Sequence, residues 1–357
     1  MRTINHITAR WLSVVLCLAI GFCTAYGQAP LIFPRSNNAN VGIIVMDLST
    51  GETVAEYNAE RMLTPASINK CVTAAAIEMA GLADDTYQTE VFVRGSDDGC
   101  GRLYGDIIVK ASGDPTIESG RFAGKGNIFN AITKALHESH INEIYGALEI
   151  DSVGFKEQGP IGTWEMGDLR HAYGAGLYAL NFRDNATNQF ALEDPGEELL
   201  IALEERLDHD SIDVDWNDVA PTPAPMRSIA TIISPTLAEI LRVTLETSHN
   251  LYAEAMLRKL APWGNRADAL KRETALLAEN GIDVESARIF DGSGLTRANS
   301  MTPRFMASLL AYCARQPWGS RYIAYFPLVG REGTVRRLLS DSPLAGQLAL
   351  KSGSMNG

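Results

Sequence analysis

The clearest hydrophobic pattern near the start is Val41-Gly-Ile-Ile-Val-Met-Asp-Leu48, then the turn Ser49-Thr-Gly-Glu52, then the short run at 53–57. It predicts two antiparallel strands joined by a hairpin. The next segment, Ser67-Ile-Asn-Lys-Cys-Val-Thr-Ala-Ala-Ala-Ile-Glu-Met-Ala80, is rich in helix formers, follows Pro65 and stops at Gly81, so a helix is expected there. From about residue 90 the texture changes to short apolar stretches at 90–94, 106–109 and 144–150, the pattern of an inserted, partly β domain. That region closes with the acidic stretch 208–218 and the stiff Pro221-Thr-Pro-Ala-Pro225, a natural seam. Helical periodicity returns over 237–247, 251–260 and 267–280, the last closed by Gly281. A final apolar strand is expected in Gly346-Gln-Leu-Ala-Leu-Lys-Ser-Gly353.

Composition narrows the class. The 357 residues are 46% apolar and 21% charged with 31 Gly and 15 Pro, a globular balance that excludes collagen, coiled coil and low-complexity tails. A net charge of −12 argues against nucleic-acid partners, because a grip on phosphate depends on Lys and Arg displacing counterions. At the amino terminus, Arg2 and Arg10 precede the apolar run 11–20, and Ala25-Tyr-Gly27 supplies small residues where a signal peptidase reads. Residues 1–27 therefore read as a signal peptide cleaved near Gly27, and the run is too short for a membrane span. Phe22 is too bulky to precede a lipidated Cys23. Of five cysteines, Cys71, Cys100 and Cys313 would remain, an odd number with no Cys-x-x-Cys spacing. No disulfide framework, metal or cofactor is expected. His137 and His140, three residues apart, read as surface residues.

Three short peptides carry candidate chemistry. In Ser67-Ile-Asn-Lys70 the two ends share a helix face. The hydroxyl sits beside the N–H groups of a helix start, within reach of an amine able to act as its base. Ser-x-x-Lys alone is weak, since about one copy is expected by chance in a chain this long. Ser248-His-Asn250, at a boundary between helical segments, offers a hydroxyl for proton relay and an amide for a substrate carbonyl. Ser36-Asn-Asn38 and Ser354-Met-Asn356 match that pattern equally well. Lys351-Ser-Gly353 places a cation and a hydroxyl at a strand end, suited to a carboxylate.

Their order resembles the three-motif set of penicillin-recognising serine enzymes. The long interval between Ser67 and Ser248 implies an inserted domain. The chain also contains Gly113-Asp-Pro-Thr116, Trp164-Glu-Met-Gly-Asp168 leading into Tyr173-Gly-Ala, Asn250-Leu-Tyr-Ala-Glu254, Asp291-Gly-Ser-Gly-Leu295 with Thr302-Pro303, and Gly330-Arg-Glu-Gly-Thr334. Over about residues 40–357 it resembles the D-alanyl-D-alanine carboxypeptidase/endopeptidase family, the class C low-molecular-mass penicillin-binding proteins.

The resemblance implies an α+β fold. Residues 28–90 and 226–357 would form a β-lactamase/transpeptidase-like domain, an antiparallel sheet with helices, interrupted by an accessory domain over 91–225. It implies that Ser67 is the acylated nucleophile, Lys70 its general base and Ser248 the relay toward the leaving amine. Asn250 would hold the substrate amide, Lys351, Ser352 and Gly353 the terminal carboxylate end, and the N–H groups of Ser67 and Ser354 the oxyanion. Peptidoglycan stem peptides ending in D-Ala-D-Ala would be the substrates, β-lactams covalent inhibitors, and the periplasm the location.

Ser352 stands where the family has Thr, and His249 where it usually has Asp. In the family the Lys-Thr-Gly strand is followed by further strands and a closing helix that complete the sheet. All of these would lie beyond Gly357, so the chain is expected to be a fragment, inactive alone. Two other readings are a β-lactamase-like hydrolase, which shares the acylation step, and a non-catalytic wall-binding protein. A Ser-His-Asp hydrolase is disfavoured because no Gly-x-Ser-x-Gly occurs; Asp291-Gly-Ser-Gly294 reads as a tight turn.

Overall fold

The computed structural model describes residues 39–122, 124–215 and 226–355. The expected signal peptide, Ser36-Asn-Asn38, the Pro-rich stretch 221–225 and Asn356 lie outside the described residues. The chain forms two compact units. One comprises the described residues up to Ala80, Leu241–Ala253 and Leu270 onward; the other comprises Gly81–Ile240 and Glu254–Ala269.

The first unit opens with β1 (Ile43–Met46) and β2 (Thr53–Tyr57), antiparallel, with Ile43 opposite Tyr57 and a register shift after Val45. Asp47 shapes the connecting turn by accepting from the Ser49 and Thr50 amides. Next comes a 3₁₀ turn, Ala66–Asn69, running into α1 (Lys70–Met79). The expected helix thus begins one turn later than its sequence signal, with Ser67 in the 3₁₀ entry. Helix α1 is buried all round, and its Ala74-Ala-Ala76 run lets neighbours approach closely.

The second unit is built on one mixed sheet. Strands β3 (Gln88–Asp97) and β4 (Arg102–Lys110) pair antiparallel. After α2 (Ile128–Glu138) come β5 (Glu143–Tyr145) and β6 (Leu148–Asp151), both parallel to β4. A small hairpin, β7 (Ala186–Thr187) with β8 (Phe190–Ala191), precedes α3 (Pro195–His209) and β9 (Asp213–Asp215), which is parallel to β5. Parallel neighbours need a crossover, and α2 and α3 supply it. Strand β10 (Met226–Ile233) then pairs with β3, so the chain re-enters this sheet after the Pro-rich stretch. Ile128, Ile132 and Leu136 of α2, and Leu199, Leu203 and Leu207 of α3, each form an i, i+4 stripe in one core with Val91, Leu103 and Ile107.

The remaining elements are α4 (Leu237–Thr247), α5 (Asn250–Lys259), α6 (Arg266–Glu279), β11 (Ala287–Arg288), β12 (Ser300–Met301), α7 (Pro303–Ala314) and α8 (Gly319–Ala324). Helix α7 starts where Thr302 Oγ1 accepts from the Phe305 amide, with Pro303 at its first position. Its Ala307 packs with Ile44 and Ala59. The strand expected over 346–353 is present only as a single antiparallel bridge between Ala349 and Leu328. Its flanking bonds run from the Val329 amide to the Leu348 carbonyl and from the Leu350 amide to the Pro327 carbonyl.

Candidate active site

The site is assembled in the first unit. Pro65 and the left-handed Ala66 (φ 49°) turn the chain into the 3₁₀ entry, which leaves Ser67 half-buried one turn before Lys70. A non-glycine residue with this backbone costs on the order of 1–3 kcal/mol and persists only where its surroundings enforce it. Lys70 is 1% exposed. Its Nζ lies 2.9 Å from Ser67 Oγ, 2.6 Å from Asn250 Oδ1 and 2.6 Å from the Ser293 carbonyl oxygen. An amide oxygen and a main-chain carbonyl can only accept. A neutral Lys70 amine therefore uses both its hydrogens on these two, leaving its lone pair for the Ser67 hydroxyl.

Asn250 reaches Lys70 because α4 and α5 meet in a two-residue corner, with Ser248 in the left-handed region (φ 62°). The same corner presents Ser248 Oγ to Lys351 Nζ at 3.0 Å. Lys351 also donates to the Ser352 carbonyl at 2.6 Å, and burial pushes its ammonium down to about 8, against a smaller opposing contribution from Cys71. The Ser352 hydroxyl lies 3.1 Å from Thr334 Oγ1. A side chain at Gly353 would fall 2.7 Å from the Pro65 carbonyl. Glycine there lets the 351–355 segment lie against the turn that holds Ser67.

All three candidate peptides thus meet, with Ser248-His-Asn250 supplying Asn250 to Lys70 and Ser248 to Lys351. A profile of the D-Ala-D-Ala carboxypeptidase 3 (S13) family matches residues 30–214 and 184–357. The chain belongs to that family. Among relatives, the D-alanyl-D-alanine carboxypeptidase DacB of Haemophilus influenzae is 22% identical, over 89% of this chain and 81% of its own length. The D-alanyl-D-alanine carboxypeptidase of Actinomadura sp. strain R39 is 23% identical, over 91% and 74% respectively. The crystal structure of penicillin binding protein 4 (dacB) from H. influenzae superposes with a TM-score of 0.74 at 20% identity, covering 90% of this chain and 85% of that one. Its complex with a novel β-lactam gives 0.69 over the same shares. The fold is accordingly the β-lactamase/transpeptidase-like one with an inserted domain.

In this S13 chain several residues that touch the candidate site have no role given by the sequence, although Asp291 to Gly294 fall within a motif. Ser293 contributes a main-chain oxygen, which no residue letter specifies. The segment 291–294 bends tightly and packs on the turn that carries Ser67: a Cβ at Gly294 (φ +79°) would sit 1.9 Å from the Ala66 carbonyl. Asn69 Nδ2 donates to the Asp291 carbonyl at 2.6 Å. One helical turn past Lys70, Thr73 Oγ1 lies 3.0 Å from the buried Glu273 Oε1 and 3.2 Å from the Gly292 carbonyl. His249 stacks its ring on Tyr252, with centroids 3.9 Å apart. Among the described residues no group of three or more His, Cys, Asp or Glu is arranged to hold a metal, and no helix is long and apolar enough to cross a membrane. Ser354 is exposed, three residues beyond Lys351.

Proposed function

We propose that the protein is a serine-type D-Ala-D-Ala carboxypeptidase and endopeptidase of peptidoglycan stem peptides, exported to the periplasm with its signal peptide removed near Gly27. The observation that supports this best is the buried Lys70 amine, held by Asn250 and Ser293 and directed at Ser67 Oγ. Lys70 takes the Ser67 proton as the hydroxyl attacks the penultimate D-alanine carbonyl. The N–H groups of Ser67 and Ser354 receive the oxyanion, a contribution worth about 3 to 4 kcal/mol per donor. The proton returns through Ser248, beside Lys351, to the leaving amine. Water then hydrolyses the acyl-enzyme. Lys351 and Ser352 hold the terminal carboxylate, Gly353 keeps that segment close to Ser67, and Asn250 also receives the substrate amide. If the leaving amine is free D-alanine the reaction is carboxypeptidase action; if it belongs to a neighbouring stem peptide, a cross-link is cut. β-Lactams enter the same acylation step as covalent inhibitors.

The test uses the purified protein with a synthetic stem peptide. It should release D-alanine from a pentapeptide stem, and Ser67→Ala should abolish that release. Activity surviving in Ser67→Ala would refute the assignment. Sustained nitrocefin turnover in place of a stoichiometric burst would favour a β-lactamase.

A further inference from the structure

Lys70 can serve as a base for Ser67 only if its other acceptors stay where they are, and one of them, the Ser293 carbonyl, belongs to a loop rather than a helix. A loop carbonyl is as well placed as the loop is rigid. The 291–299 loop is held from inside by a side chain: Asp291 is 0% exposed. Its Oδ1 accepts from the Gly294 amide at 2.8 Å and from Asn299 Nδ2 at 2.7 Å. Its Oδ2 accepts from the Thr296 amide at 2.8 Å. Asn299 closes the other end, with Oδ1 accepting from the Phe290 amide at 2.8 Å. Outside the loop, the Asp291 carbonyl accepts from Asn69 and the Gly292 carbonyl lies near Thr73, residues that flank Lys70 in the chain. The buried carboxylate thus organises a backbone whose consecutive carbonyls, at 291, 292 and 293, all face the nucleophile's turn and helix.

We propose that Asp291 is a positioning residue for acylation: its carboxylate fixes the loop so that the Ser293 carbonyl holds Lys70 Nζ on Ser67 Oγ. The inference rests on the serine-acylation reading above and adds to it a residue that touches neither substrate nor nucleophile. The informative variant is Asp291→Asn, which keeps shape. Every partner of this carboxylate named above is a donor, so an amide presents one edge donor to donor. The loop then relaxes and the Ser293 carbonyl moves. A displacement of about 1 Å at a catalytic group costs up to about 100-fold in rate.

The experiment follows the full gene product with a fluorescent penicillin in stopped flow, separating the acylation rate constant from the dissociation constant of the reversible complex. Thermal melting verifies the folded fraction. For folded Asp291→Asn the acylation rate constant should fall by about 10- to 100-fold, with the reversible constant within about two-fold. A folded variant acylating at the wild-type rate, or one whose loss lies in the reversible constant, overturns the proposal. If Asp291→Asn does not fold, Asn299→Ala, which removes one donor to the carboxylate, takes its place. A several-fold loss confined to acylation then supports the proposal, and an unchanged rate overturns it. Wild-type protein that takes no label would refute the serine-acylation reading instead.

Discussion

Lys351 shows how burial sets the working range of a single side chain. Its ammonium is desolvated and titrates at about 8, so it is cationic below that pH and loses its charge above it. A substrate carboxylate stays ionised throughout. The capture step should therefore weaken as pH rises: KM for a D-Ala-D-Ala peptide is expected to climb between about pH 7 and 9, while Lys351→Met shows a high KM at every pH. A flat KM profile in wild-type protein would contradict a charge-based role for Lys351. The side chains that the structure brings together, Ser67, Lys70, Ser248, Asn250 and Lys351, were legible in the sequence as candidates. Each is a chemically distinctive letter, and order along the chain compensated for the weakness of each motif alone. The Ser293 carbonyl was not, because a main-chain oxygen is identical at every residue and only its placement gives it a role. Thr334 ends the Gly330-Arg-Glu-Gly-Thr334 motif, but its contact with Ser352 has no local sequence signal.

At the scale of elements, helix α1 bears the site and is held at its far end by a charged clamp. Glu78, whose side chain is fully buried, accepts from Arg321 Nε at 2.9 Å and Nη2 at 2.7 Å, and from the Tyr325 hydroxyl at 2.6 Å. The Tyr322 hydroxyl adds a bond to the Cys71 carbonyl at 2.9 Å. Removing the guanidinium leaves a buried carboxylate under-compensated. Arg321 is itself about a third exposed, which lets water recover part of the loss. Arg321→Ala is expected to lower unfolding stability by about 2–3 kcal/mol in chemical denaturation; a loss below about 0.5 kcal/mol would show that the pair is not a clamp. Helix and hairpin signals were read well here because periodicity, Pro65 and Gly81 act locally. The apolar run at 144–150 was read as one stretch and is two strands, broken at Gly146, where a Cβ would fall 2.2 Å from the Gly105 carbonyl. That break is set by a neighbouring strand, which local sequence does not contain. The strand expected over 346–353 reduces to one bridge for a similar reason, since a strand is defined by its partners.

For the whole molecule, the change in texture near residue 90 falls on β3 of the second unit, which itself runs from Gly81 to Ile240 and takes in Glu254–Ala269, whereas the parallel order of β4, β5 and β9 depends on the crossovers of α2 and α3. The thiols offer a test of the packed state. Cys71 and Cys313 are buried and free, Cys100 is exposed, and burial pushes the Cys313 thiol well above its ordinary range. Among these three thiols, Cys100 should react rapidly with a disulfide reagent in the native protein, with Cys71 and Cys313 reacting only on denaturation. Fast native reaction at either buried thiol would contradict the packing around α1. The most direct test of the central claim is peptide mapping by mass spectrometry of the full gene product after exposure to benzylpenicillin. The predicted result is a single penicilloyl adduct on the peptide containing Ser67, absent in Ser67→Ala and greatly slowed in Lys70→Met. An adduct on another residue, or none on the wild-type protein, would contradict it.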